Sequence, residues 1–489
     1  MRSSAAKAGV VLSVFLLLAP PLAARASSER LVYDQWMEIE MNGRKIGFSH
    51  QEAHETESGY SLNSRSVMKL EVQGTITEIS GSETSFLDKS FRPLRFSYVQ
   101  KMLNHQQFFE GVVEGDKLRV TAESGGNVTK KTVDFGDQVY IADAMGFLLG
   151  QKKLEEGMKF QYRVFLEPVL DSETITVEVG KRTELDLDGK REKVLPVTMR
   201  FKSFLTVSYV SAAGRIVREI SPMGFVSREV DEKRALSFPD QTLSFTTLLS
   251  YSLVPLEKPL ENPGKITAME VRISGLASKG LVPEDDRQKI IRESASAPEG
   301  GGSVAVELSV AENSASRVRR IDRTAADARF ARELAPTIEA QSDDPKIVGR
   351  AKKIVGDEKD VYNAAVKINK WVYSNVRKVY TDTFSAVETL KTLEGHCQAH
   401  ANLFAALAKA SGIPTRVAAG IVYSEDFKGF LYHAWPEIYA GEWIAMDPTF
   451  GQETADATHI KLMAGDKASQ LKLFEFLGKM RLSVLKVER

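Results

Sequence analysis

Cys397 is the only cysteine in a chain of 489 residues. It stands in the run Gly395-His396-Cys397-Gln398-Ala399-His400, with Tyr432-His433-Ala434-Trp435 and Asp447-Pro448-Thr449 further on. A thiol, an imidazole and a carboxylate can serve as nucleophile, base and orienting group. The thiolate attacks a carbonyl, the imidazole carries the proton, and the carboxylate fixes which ring nitrogen holds it. Each residue taken singly has a plainer use. A cysteine among alanines packs a core, a strand histidine bonds a neighbour, and Asp-Pro opens a turn. His396 and His400 flank the cysteine and His459 follows Asp447, so four of the seven histidines gather in this part of the chain.

These side chains need rigid elements behind them. Cys397 to Lys409 reads as a helix with Ala401, Phe404, Ala405 and Ala408 on one side, closed by Ser411-Gly412 with Pro414 beyond. Cys397 at its start would feel the partial positive charge of unpaired N–H groups, which favours a thiolate. Gly395 allows a tight turn before it. TRVAAGIVYSE, YHAWPEIY and EWIAMDPTF read as strands. His433 and Asp447 are symmetric about Ala440, in the expected turn, so the spacing predicts that they face each other across a hairpin ladder. Trp435 and Trp443 would wall the site or fill the core. Upstream, Asp344-Pro345 starts a helix. Val361, Ala365, Ile368, Val372 and Val376 recur at helical spacing over about Glu358 to Val376, and Ser385 to Leu393 is a short helix. LKLFEFLG suggests a late helix and RLSVLKVE a closing strand. Helices first and antiparallel strands second is α+β.

The chain from residue 27 to 235 reads as a β-rich, antiparallel domain. Asn42-Gly43 marks a hairpin, and short alternating runs follow up to SFLTVSYVSAAGRIVREI. Ile141 to Leu149 reads as a brief helix or turn. Pro255, Pro259 and Pro263-Gly264 open a stretch from 236 to 330 that reads as linker plus a small β unit. It has two strands, AMEVRISGL and SVAVELSVAE, separated by a charged loop from Pro283 to Gly301. Residues 331–489 form the domain that carries the cysteine. Residues 1–26 read as a signal peptide: Arg2 and Lys7, an apolar run from Gly9 to Leu18, then Ala24-Arg25-Ala26. That run is too short to span a bilayer of about 30 Å, and no cysteine follows it for lipid attachment. The expectation is an exported protein, periplasmic or secreted, with no transmembrane anchor once the signal is removed. Exported proteins pair their cysteines, and a lone one is an intermolecular link, a buried small hydrophobe or a working thiol. Lys+Arg and Asp+Glu are both 65, a balance that does not suggest a nucleic-acid partner.

Residues 360–462 resemble the transglutaminase-like superfamily, whose fold is shared in outline with papain-type cysteine peptidases. The resemblance rests on Gly395-His396-Cys397, Gly412-Ile413-Pro414-Thr415-Arg416, His433-Ala434-Trp435-Pro436-Glu437, Trp443 and Asp447-Pro448-Thr449, in order. The Asp456-Ala457-Thr458-His459 run is similar to the tail of secreted bacterial members. The resemblance implies a papain-like, transglutaminase-like core with catalytic Cys397, His433 and Asp447. It implies acyl transfer from an amide through a thioester, on a protein or peptide substrate or a cell-envelope component. Hydrolysis by an amidase or peptidase is the leading expectation. Protein crosslinking, or a silent envelope-binding module, are the alternatives. No cofactor is expected. His396, Cys397, His400, His433 and His459 are zinc-compatible residue types, but adjacent His-Cys suits a single ion poorly and no paired-cysteine pattern occurs, so no metal is expected either.

Overall fold

A computed structural model describes residues 29–489 except 73–74, 103–104, 125–126, 137, 167–170, 202–203, 222–223, 239–242, 245–252, 277–281, 296–303, 314–327, 380–384 and 465–479. The expected signal peptide and the LKLFEFLG segment lie outside the described residues. Among the described residues no helix is long and apolar enough to cross a membrane.

The N-terminal region is a large, largely antiparallel sheet that curls around its own core. Strand Arg30–Met41 pairs with Arg44–Glu55 on one side and with Phe225–Val230, the last long strand of the region, on the other. The Asn42-Gly43 turn works as expected, since both residues adopt positive φ (52° and 69°). From there the chain meanders through neighbouring hairpins to Asn127–Asp134. The exceptions to antiparallel pairing include Val139–Ile141, which runs parallel to Lys159–Leu166. The short helix Met145–Gln151 buries Phe147 against Tyr33, Tyr60 and Phe91. Ile338, which leads into the C-terminal helices, packs on the same cluster.

The C-terminal region places helices against one face of a five-stranded sheet, as the α+β reading predicts. Its strands are Val254–Pro255, Gly429–Tyr439, Thr415–Ser424 and Ile460–Ala464 in that order, with Trp443–Ala445 beside Gly429–Tyr439. The helices are Pro345–Val355, Val361–Asn375, Ala386–Thr392 and Cys397–Ala410. All four start on side-chain caps, where Asp344, Asp360, Ser385 and His396 accept otherwise unpaired N–H groups. The Cys397–Ala410 helix is buried along ten consecutive residues from Ala399 to Ala408. Five of these are alanines, which let it lie close to both the sheet and the other helices.

The small β unit differs from its expected form. Gln288–Ala295, inside the expected charged loop, is a strand. It joins Val304–Ala311, Ala268–Leu276 and the closing strand Arg481–Glu488 in a four-stranded sheet. Its charges read as loop, but its register is anchored by buried Arg287 and Gln288 rather than by alternating apolar residues. This sheet shares a core with the five-stranded one: Val271, Ile273 and Leu308 pack with Ile421, Phe430 and Ile460.

Gly420 shows how tightly the site's sheet is built. It pairs with His433, and a Cβ there would lie 2.0 Å from the Ile460 carbonyl oxygen and 2.9 Å from the Trp435 ring. Gly420→Ala is expected to destabilise the protein by about 1–3 kcal/mol, read from urea unfolding midpoints.

Candidate active site

Cys397 is the first residue of its helix and is half-buried. His396 is the N-cap: its Nδ1 accepts from the Gln398 N–H at 3.1 Å and lies 3.9 Å from the Cys397 Sγ. Accepting that bond leaves Nδ1 without a proton, so His396 cannot donate to the sulfur from this atom. Gly395 has a different reason for being glycine from the expected turn. A Cβ would sit 2.3 Å from the Ala399 Cβ, so its absence lets the helix fold back on the preceding chain.

His433 lies in the long strand Gly429–Tyr439 and is 7% exposed. Its Nε2 is 2.7 Å from the Oδ2 of Asp447, which is fully buried. The predicted contact exists, but not by ladder pairing. The observed ladder pairs Glu437 with Ala445 and Tyr439 with Trp443, centred on Gly441, and ends before it reaches either residue. His433 instead has Gly420 as its ladder partner. Asp447 sits just past the short strand, in a turn closed by reciprocal backbone bonds with Gln452. Its Oδ1 accepts the N–H groups of Thr449 and Phe450 at 2.6 and 3.1 Å. These bonds aim Oδ2 at the imidazole.

With Nε2 committed to Asp447, the other nitrogen of His433 is left for the thiol. Burial alone would push the Cys397 pKa up, but the hydrogen bond and charge of His433 hold it well below the ordinary thiol value. His396 has its near nitrogen occupied as an acceptor, so His433 is the donor of consequence. Burial would lower the His433 pKa. The charge and hydrogen bond of Asp447, with the thiolate opposite, raise it to about 10. Burial would raise the Asp447 pKa, and His433 and His459 hold it far below the carboxylate range. Each group stabilises the charged form of the next.

The surroundings are sorted by burial. Phe450 is 40% exposed and stacks on His433 with ring centroids 5.0 Å apart. The Lys378 amine lies 5.2 Å from the centre of that ring, and Tyr373 is exposed nearby. Trp435 is fully buried, 6.0 Å from His433, so it is a wall of the site and part of the core together. Trp443 lies under Arg416 and against Phe330 and Tyr439. His400 is fully buried with its ring nitrogens 2.9 and 3.2 Å from the carbonyls of His396 and Val376, and a neutral ring donates to one of the two. Burial lowers its pKa. It is a core residue that ties the helix to the chain before it.

His459 is the residue that the sequence pattern left without a role. Its Nε2 lies 3.0 Å from the same Oδ2 of Asp447, and its Nδ1 lies 3.1 Å from Oδ1 of Asp456. Ligand atoms of His433, Asp447 and His459 fall within 4.8 Å of one another, near enough to suggest a cation. The contacts to Asp447 are nevertheless hydrogen-bond lengths. Donor atoms around tetrahedral zinc with bonds of about 2.0 Å stand about 3.3 Å apart.

Residues 349–448 match the profile of the Transglutaminase-like superfamily. This part of the chain is homologous to that superfamily. The solved structures it resembles include a protein from Cytophaga hutchinsonii described as a candidate cysteine protease. That match has 20% identity and a TM-score of 0.31, over 46% of this chain and 86% of that one. A β-barrel-like protein with a domain of unknown function from Brucella abortus matches at 18% identity and a TM-score of 0.33, over 42% of this chain and 98% of that one. A candidate protease from Parabacteroides distasonis matches at 11% identity and a TM-score of 0.18, over 73% and 69%. No curated protein matches the chain. The transglutaminase-like match includes Cys397, His433 and Asp447 and ends before Asp456 and His459.

Asp456 supplies a pH prediction. Burial would raise its carboxyl, but the His459 hydrogen bond and charge, with Thr458 and Gln452, hold it at about 2. An unperturbed aspartate titrates near 3.9. The folded value is the lower one, so its stabilisation is complete above about pH 4 and is lost as pH falls through about 2. Urea midpoints measured across that window should fall less steeply for Asp456→Asn than for the wild type.

Proposed function

We propose that the protein is an exported cysteine amidase or peptidase of the transglutaminase-like type, in which Cys397 is the nucleophile, His433 the acid and base, and Asp447 the orienting carboxylate. The observation that carries this reading is the 2.7 Å contact between His433 Nε2 and the buried Asp447, which leaves the other imidazole nitrogen for a thiol at a helix start. The homology of residues 349–448 supports it.

The chemistry follows from the charges. The Cys397 thiolate adds to the amide carbonyl, and the oxyanion is met by the Cys397 backbone N–H at the helix start. His433, protonated at rest, gives its proton to the departing amine. The carbon–nitrogen bond breaks and leaves an acyl thioester and a neutral imidazole. Water then attacks as His433 takes its proton. The carbon–sulfur bond breaks, the acid leaves, and the thiolate–imidazolium pair is restored. An amine in place of water would give crosslinking by the same steps. Phe450 over His433, and buried Trp435 beside it, limit the faces from which water can approach.

Alkylation of the folded mature protein, followed by intact mass, tests the reading without a known substrate. Cys397 should label rapidly at about pH 6, well below the ordinary thiol pKa of about 8.5. His433→Ala should slow labelling at that pH by about 10-fold or more. Labelling that rises only above about pH 8, unchanged by the histidine variant, would overturn the nucleophile assignment and favour a binding module. Incubation with a labelled amine and a glutamine-bearing protein then separates hydrolysis from crosslinking.

A further inference from the structure

His459 is fully buried, and both of its ring nitrogens face carboxylate oxygens. A neutral imidazole has one N–H and one lone pair, so it can donate to only one of them. The other nitrogen would then direct its lone pair at an anionic oxygen about 3 Å away, at a position fully buried from the surface. Two arrangements avoid this: one carboxyl is protonated, or His459 is.

The hydrogen bonds around the carboxylates decide between them. Asp447 accepts from His433 and His459 at Oδ2 and from the Thr449 and Phe450 N–H groups at Oδ1. Asp456 accepts from the Thr458 N–H, the Thr458 hydroxyl and His459 at Oδ1, and from the Gln452 amide at Oδ2. Each carboxylate thus accepts three hydrogen bonds besides the one from His459, and bonds of that kind favour its ionised form over a protonated one. The proton therefore belongs on the histidine. Nearby, Lys461 is turned into Glu437 and Asp285. Arg287 spends its guanidinium on the carbonyls of Ala311, Ala455 and Asp456. Across Asp447 stand His433 and then Cys397, with His396 on the acceptor side of its own cap and His400 between two carbonyls.

We propose that His459 is a buried imidazolium clamped between Asp447 and Asp456, and that it is a positioning residue for the Cys397–His433 pair. It pins the oxygen of Asp447 that faces His433, and its fixed positive charge sets the pH range of the pair. The resulting series runs Asp456, His459, Asp447, His433, Cys397, with charges alternating in sign. The second half of the proposal rests on the catalytic reading above, and the first half does not.

Removing a positive charge raises the pKa of every group that feels it. His459→Gln keeps a donor toward one carboxylate and removes the charge, so the whole Cys397 labelling profile should move to higher pH by about one unit. A merely structural histidine would lower thermal stability in this variant and leave the profile where it was. The charge itself is read by nitrogen NMR on protein carrying labelled histidine, with the His459 signals assigned by their loss in His459→Gln. Both ring nitrogens should carry protons at neutral pH.

A single protonated nitrogen at neutral pH would overturn the clamped imidazolium. Two protons with an unmoved labelling profile would overturn the positioning role. A wild-type thiol that fails to label at low pH would remove the catalytic reading and the positioning role together, while the NMR result would still decide the charge of His459.

Discussion

The site depends on one buried carboxylate. Asp447 lies at zero exposure, where an isolated charge is costly, and the surrounding chain is arranged to satisfy it. Two backbone N–H groups from its own turn fix one oxygen, and two imidazoles meet the other. The turn is held in its place by Gln452, which bonds back to Asp447 and forward to Asp456. Asn369 on the Val361–Asn375 helix donates to the Gln452 carbonyl, and Arg287 from the four-stranded sheet donates to the carbonyls of Ala455 and Asp456. A helix, a loop and a second sheet thus converge on the segment that carries the carboxylate.

That convergence gives the small β unit a role beyond linking two larger regions. Gln288 exchanges two hydrogen bonds with the backbone of Lys461. Asn313 bridges the backbone of Trp443 and Ala445, just before Asp447. The closing strand Arg481–Glu488 completes the same sheet. The small β unit therefore holds the strands on either side of the turn that carries Asp447. The N-terminal sheet has its own aromatic core and meets the C-terminal region at Ile338 among other places.

Much of this was legible in the sequence. The helices announced themselves through Asp344-Pro345 and the recurrent apolar positions from Val361 to Val376, because caps and periodicity are local properties. The pairing of His433 with Asp447 was legible as proximity but not as mechanism. The ladder is displaced by one residue at its centre, and the contact is made by the turn after it. The strand Gln288–Ala295 was hidden because its fixed points are a buried arginine and glutamine, whose partners lie far away in sequence. His459 was visible only as a spare histidine. Its partner Asp456 is three residues back, but its meaning depends on Asp447 twelve residues back and on complete burial, and neither follows from composition.

On the proposed function, a thiolate exists at Cys397 across neutral pH because a buried Asp447 keeps His433 protonated beside it. The most direct measurement is a pH titration of the ultraviolet absorbance of the thiolate, taken as the difference between the wild type and Cys397→Ser. The chain has one cysteine, so the difference has one source. The account predicts that the thiolate band is already present at about pH 6 and persists upward, with Asp447→Asn shifting its onset toward the ordinary thiol value of about 8.5. A band that appears only near that ordinary value in the wild type, indifferent to Asp447, would contradict it.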